Sequence, residues 1–205
     1  DVEAIGAVIK ELISSTGATV PHVVISVAGQ ASVLVRTVEV PRMKDDELKK
    51  HMEWEVARNI PFAETTVQSD FRAIEPEDAA AQNMDVVMAI SPQSAIDTLA
   101  AIIKRSGKTP YAIDVEPLSI GRSLEQSYAA DLHEKTVCVV EIGHKSTSIN
   151  MYRKGYLLMP RQVPIGGENF TRAIADGLAM DFDAAEEMKM AKAAIPASAL
   201  TTAQN

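Results

Sequence analysis

The sequence predicts an α/β protein with mixed sheets, and three observations carry that prediction. Apolar residues recur along the chain in two alternating patterns, helical spacing and short β-branched runs. Some strand-like runs are separated by tight turns and others by whole helices, so antiparallel neighbours and crossover connections are both expected. Hydrophobic residues make up 46% of 205 residues and charged residues 23%, an ordinary globular composition with length for one large domain or two small ones. No apolar run approaches the length of a membrane-spanning helix. The formal net charge of −8, with no block of Lys or Arg, argues against nucleic-acid binding.

The elements follow in order. Val2, Ile5, Val8, Ile9 and Leu12 lie at helical spacing, and Gly17 can stop that helix. Two β-branched runs follow, His22–Val27 and 31–40; the Gly29-Gln30 turn between them suggests a hairpin, and Pro41 is expected to break the second. Residues 44–59 read as a charged amphipathic helix with Leu48, Met52 and Val56 on one face, ended by Ile60-Pro61-Phe62. Val67–Ile74 and 84–90 read as strands joined by an acidic, Ala-rich loop. Ser91-Pro92 has the form of a helix start, a hydroxyl cap and then proline in the first turn, and Gly107 ends the Ile96, Leu99, Ala100, Ile103 stripe. A short strand at 111–115 leads into a helix from Glu116-Pro117 to about Tyr128. Thr136–Ile142 reads as a buried strand, followed by strands at 146–152 and Tyr156–Val163 with Lys154-Gly155 as the tight turn, then by helices at 168–179 and 183–194.

One cysteine excludes an intramolecular disulfide and a Cys-rich zinc site; Cys138, in a Val-rich run, reads as a buried small apolar residue. A reducing compartment and no secretory h-region make a cytoplasmic location the expectation. The chain opens at Asp1 without an initiator Met and closes on a small, polar stretch at 196–205, so an internal piece of a longer protein is expected. The four histidines have no metal-ligand spacing, and no Ser-His-Asp signature or Walker loop is present.

Four segments carry candidate chemistry. In 139–148, a strand delivers Glu141 and Gly143 to a turn containing His144, Ser146 and Thr147. Turn N–H groups and hydroxyls can hold phosphate oxygens, and a carboxylate can hold magnesium through water; a plain β-hairpin fits the same residues. In 163–171, Gly166 and Gly167 permit a close backbone approach at a helix start, a natural anion seat, or simply a tight turn. Glu186 and Lys189 share a helix face and could bracket a ribose, although Asp183 with Glu186 also has the spacing of a capping box. Asp114 and Glu116 end a strand before a helix, where acids reach a cleft or complement the helix N-terminus. Trp54 lies about 200° around its helix from Met52, either as a docking anchor or under a neighbouring subdomain.

Taken in order, these segments resemble the PilM family of actin-like type IV pilus proteins, related to the cell-division protein FtsA. The resemblance rests on residues 23–30, Val35-Arg36, Val40-Pro41, Glu53-Trp54-Glu55, Asn59-Ile60-Pro61-Phe62, Asp114-Val115-Glu116-Pro117-Leu118, Glu141-Ile142-Gly143 with Ser146-Thr147, and Pro164-Ile165-Gly166-Gly167. It implies an actin-like fold: residues 1–36 and 117–134 in subdomain 1A, 37–116 as a 1C-type insertion, and 135–205 as the start of subdomain 2A. It also implies that Glu141, Gly143, His144, Ser146, Thr147, Gly166, Gly167, Glu186 and Lys189 lie on the nucleotide side, with Glu141 toward magnesium. The family usually has Asp at the position of Glu141, and its first phosphate loop and adenine-side loop would fall outside this chain. The expectation is therefore ATP and magnesium in the intact protein, none held by this piece, and at most slow hydrolysis.

The resemblance further implies a scaffold at the inner face of the inner membrane. It would bind the N-terminal tail of a PilN-like protein near the 1A–1C junction, alongside other platform proteins and the pilus motor ATPases. Trp54 and Phe62 are candidate partner contacts. Two other readings remain: a nucleotide-free actin-like adaptor, which Glu141 in place of Asp favours, and a metabolite kinase. Glu116 is the candidate base for the kinase, but the 1C-type insertion argues against that class.

Overall fold

The computed structural model describes all residues except 30, 31, 64, 65, 77, 79 and 193–205; the Gly29-Gln30 turn, the acidic loop and the polar C-terminal stretch thus lie partly or wholly outside the described residues. The order is α1 (Val2–Ser15), β1 (His22–Val27), β2 (Leu34–Pro41), α2 (Asp45–Asn59), β3 (Val67–Ile74), β4 (Asn83–Pro92) and α3 (Gln93–Arg105). Then come β5 (Thr109–Val115), α4 (Glu116–Glu134), β6 (Thr136–Ile142), β7 (Thr147–Arg153), β8 (Tyr156–Val163), α5 (Gly167–Leu178) and α6 (Phe182–Lys192). Two compact units form: Asp1–Val139 with Ile149–Arg161, and Val140–Ser148 with the described part of Gln162–Asn205.

In the first unit β1 and β5 form a parallel pair, from His22↔Thr109 to Val27↔Val115. The expected β1–β2 hairpin does not form. Ser32 and Val33 donate their N–H groups to Gly29 O at 2.9 and 3.1 Å, and the chain then leaves for a second sheet. That sheet has the order β2-β4-β3, antiparallel throughout, with Val38↔Val86 and Phe71↔Met88 in register. Pro41 does not break β2 but ends it, opposite Asn83 at the sheet margin. A proline, which has no N–H to give, is tolerated there.

The central strand β4 is buried on both faces, which explains its nearly continuous apolar sequence. On one side Val86, Met88 and Ile90 meet Leu48, Met52 and Val56 of α2, the face expected from periodicity. On the other, Val87 joins Leu132, Tyr152 and Leu157 in a second cluster. Ser91 does not cap α3. Its strand runs on through Pro92, paired with Val67, and its hydroxyl donates to Ser32 O at 2.7 Å; Pro92 itself is the N-cap. α1 lies against α3 where Gly6 is buried; a Cβ there would stand 2.7 Å from Arg105 Cγ.

The third sheet has the order β6-β7-β8, and its strands run through both units. Lys154 and Gly155, at φ 52° and 81°, make the two-residue turn between β7 and β8. β6 is not the buried strand expected. It is an edge strand: Cys138 is exposed, and Val140 and Ile142 are 56% and 65% exposed. Only Val137 and Val139 turn inward, against the second cluster. α4 continues past Tyr128 to Glu134, with a kink at Tyr128, where φ is −138°.

Candidate functional site

The second unit gathers the nine nucleotide-side residues expected from the sequence. Glu141 is exposed near the end of β6, and the chain turns back through 143–146 into β7. Gly143 N–H donates to Ser146 O at 2.9 Å and closes the turn. Thr147 Oγ1 donates to Ile165 O at 2.7 Å, so its proton is already used. Ser146 Oγ accepts from Gln162 Nε2 at 3.1 Å, which leaves its own proton to offer. A turn with a hydroxyl proton to offer, reached from a strand with an exposed carboxylate near its end, carries the kinds of group that suit a magnesium-bound phosphate.

Gly166 and Gly167 do make a close approach, and what they approach is this turn. Gly167 N–H donates to Gly143 O at 2.9 Å and Glu168 N–H to His144 O at 2.8 Å. Gly166 N–H donates to Asn169 Oδ1 at 2.9 Å. The start of α5 is therefore not the open anion seat suggested by its sequence, because its first amides are spent on the 143–144 carbonyls.

Behind that contact lies a charged tie between α5 and α6. Thr171 is fully buried, and its hydroxyl hydrogen-bonds Glu186 Oε2. Lys189 Nζ donates to Glu186 Oε2 at 2.7 Å, Thr171 Oγ1 at 3.0 Å and Gly167 O at 3.3 Å. Lys189 and then Thr171 hold the Glu186 carboxyl below its ordinary range. Arg172, at 2.5 Å, does the same for Glu168 and is itself raised; His144 stands 3.8 Å from Glu168. The Asp183–Glu186 capping box does not form. The capping carboxylate belongs to Asp181, which accepts from Ala184 N–H at 3.0 Å, and Glu186 is left for the α5 tie.

The remaining candidates lie in the first unit. Glu116 occupies the first turn of α4, partly buried. Asp114 accepts from Ser119 Oγ at 2.7 Å and pairs with Arg122. Trp54 is 53% exposed, with the Arg58 guanidinium 4.3 Å from its ring centroid. Phe62 is partly buried and packs against the α2 core cluster. One feature escaped the sequence reading: a groove of about 320 Å³ lined by Ser26, Val27, Ala28 and Ser32 on one side and Pro92, Ser94, Ala95, Thr98 and Leu99 on the other. Its lining does not include Trp54 or Phe62, and small residues scattered over three segments give no periodic signal.

The family model described as type IV pilus assembly protein PilM matches residues 1–199. Among solved structures the chain is similar to the PilM-PilN type IV pilus biogenesis complex, with a TM-score of 0.79 and 29% identity over 92% of this chain and 56% of that one. Among curated proteins, cell division protein FtsA of Neisseria meningitidis serogroup B is 24% identical over 92% of this chain and 49% of its own length. FtsA of Bacillus subtilis is 31% identical over 94 residues, 46% of this chain and 21% of its own. The chain thus spans about half or less of the length of the curated relatives it matches.

Proposed function

Because the chain belongs to the PilM family of type IV pilus assembly proteins and has an actin-like fold, we propose that the whole protein is an ATP-binding scaffold of the pilus inner-membrane platform. The observation that carries this reading is the likeness of 92% of the chain to a chain of the PilM-PilN type IV pilus biogenesis complex. The protein works on the cytoplasmic face and is held at the inner membrane by the N-terminal tail of a PilN-like partner. No helix among the described residues is long and apolar enough to cross a membrane. Other platform proteins and the motor ATPases are further partners, and exposed Trp54 is an available anchor for one of them.

The tail occupies the groove at the end of β1. Its lining comes from the end of β1 and Ser32, just before the chain enters the second sheet at β2, and from the end of β4 and the first turns of α3, just after the chain leaves that sheet, and this is where we read the junction near which the tail is expected. ATP and magnesium sit at the 141–147 turn. Nucleotide supplies a charged ligand that favours one conformation; Ser146 donates to phosphate, Glu141 faces the magnesium hydration shell, and Lys189 and Glu186 take the ribose side. Hydrolysis is slow at most. A nucleotide-free adaptor is the competing reading, favoured by the longer Glu141 side chain where the family usually has Asp.

A Mg-ATP titration of the whole protein, beside Glu141→Ala, tests the proposal. Saturable binding that the substitution weakens is the expected result. A folded protein that binds no ATP sinks the nucleotide reading and leaves the adaptor.

A further inference from the structure

The bonds at the start of α5 fix the direction of the turn that they hold. Gly143 O and His144 O both accept from the first turn of α5. In a planar trans peptide the C=O and N–H point in opposite directions. The peptide group that carries Gly143 O also carries the N–H of His144, and the one with His144 O carries the N–H of Lys145. With both carbonyls turned into α5, both N–H groups turn away from it, side by side. Neither has an acceptor among the described residues, and both residues are exposed. Consecutive N–H groups aimed one way suit an anion. The positive end of α5, acting through two hydrogen bonds, polarises those peptide groups and strengthens their N–H donors.

We propose that α5 is a positioning helix for the phosphate-holding turn, and that Gly166 is the residue on which the seating depends. This rests on the ATP reading and takes the terminal phosphate oxygens as the ligand. Gly166 has φ −151° and ψ −167°, an extended conformation open to any residue, so its backbone does not require glycine. Space does. A Cβ on Gly166 would lie 2.6 Å from Gly143 O and 2.6 Å from His144 O, both backbone atoms that cannot swing aside. At Gly167 the nearest atom to a Cβ is Lys189 Nζ at 3.5 Å, an ordinary contact at the end of a flexible chain. Neighbouring glycines therefore have opposite tolerances, and Gly166 acts on the ligand only through the turn.

The test compares Gly166→Ala, Gly167→Pro and, as a control elsewhere on α5 where an added Cβ meets nothing within 4 Å, Gly177→Ala in the whole protein. It reads backbone amide exchange at positions 167 and 168, the amide shifts of His144 and Lys145 on adding Mg-ATP, and Mg-ATP affinity. Wild type and Gly177→Ala should protect both amides, show shifts at His144 and Lys145, and bind within about twofold of each other. Gly166→Ala should lose the protection and bind roughly tenfold more weakly, a difference of about 1.4 kcal/mol. Gly167→Pro removes one donor at a position where proline suits a helix start, and should also weaken binding while α5 stays helical. It keeps the question open to test if Gly166→Ala does not fold. Wild-type affinity in Gly166→Ala, or in Gly167→Pro with α5 intact, overturns the inference alone. Protected amides in a wild-type protein that binds no Mg-ATP overturn the nucleotide reading instead.

Discussion

Asn150 stands in the middle of β7, 1% exposed, and neither atom of its amide has a partner among the described residues. A buried polar group left unmatched costs about 1–3 kcal/mol, whereas an apolar group of the same shape loses nothing by burial. Leucine is close to asparagine in shape, so Asn150→Leu should stabilise the protein by about 1 kcal/mol or more, seen as a higher urea midpoint with an unchanged slope. A loss of stability would mean that the amide is bound in solution. Sequence pattern could not flag this residue, because Asn150 falls in a run where Ser148 and Tyr152 share its buried face. Cys138 fails in the opposite sense. Its Val-rich surroundings suggest burial, but period-two alternation on an edge strand places it with Val140 and Ile142 on the exposed face. The glycines at 166 and 167 announced a close approach, but the thing approached, a turn more than twenty residues earlier, is not written beside them.

At the scale of elements, the α5–α6 tie makes a pH-dependent prediction. The Glu186 carboxyl is lowered by Lys189 first and Thr171 second, with His144 adding attraction. A carboxyl lowered on folding contributes stability that is fully present above its unfolded pKa, about 4.3, and is lost as the pH falls through the lower folded value. Acid should therefore loosen α6 from α5, and Lys189→Met should reduce the fall in stability between about pH 7 and about pH 3.5. Urea unfolding at both pH values, followed by amide exchange at Thr171, would measure it; an unchanged acid dependence would refute it. Some dependence must survive in the variant, because Arg172 lowers Glu168 in the same direction. The tie itself was half legible. Spacing placed Glu186 and Lys189 on one face, but Asp181 and Asp183 offer two helix starts two residues apart. The cap at Asp181 frees Glu186 for Thr171. Strand existence was legible in the same way and strand partners were not. β1 shows its β-branched run locally, yet the strand it pairs with, β5, begins some eighty residues later. Likewise the Ser91-Pro92 start gave way to two more residues of pairing with β3.

At the scale of the whole molecule, the two proposed ligands belong to different compact units: the groove residues to the first and the 141–147 turn to the second. The groove is lined by small side chains with Val27 and Leu99 as its larger apolar members, a surface that admits an extended peptide and its apolar side chains. A long charged side chain there would fill the space that the peptide needs and bury a charge against the apolar lining. Ala95→Arg should therefore weaken binding of a PilN-like tail peptide by about tenfold or more while leaving Mg-ATP binding within about twofold. Glu141→Ala should do the reverse, since Glu141 is exposed and is not among the residues that line the groove. Two titrations on each variant of the whole protein, one with peptide and one with Mg-ATP, give four numbers. Opposite losses support two separate sites on one actin-like scaffold. Loss of peptide binding in Glu141→Ala as well would mean that nucleotide controls the peptide site, with a coupling that must then appear equally in the ATP affinity when peptide is present. A tail that binds Ala95→Arg as well as wild type would move the partner out of the groove and make Trp54, exposed with Arg58 over its ring, the next surface to substitute.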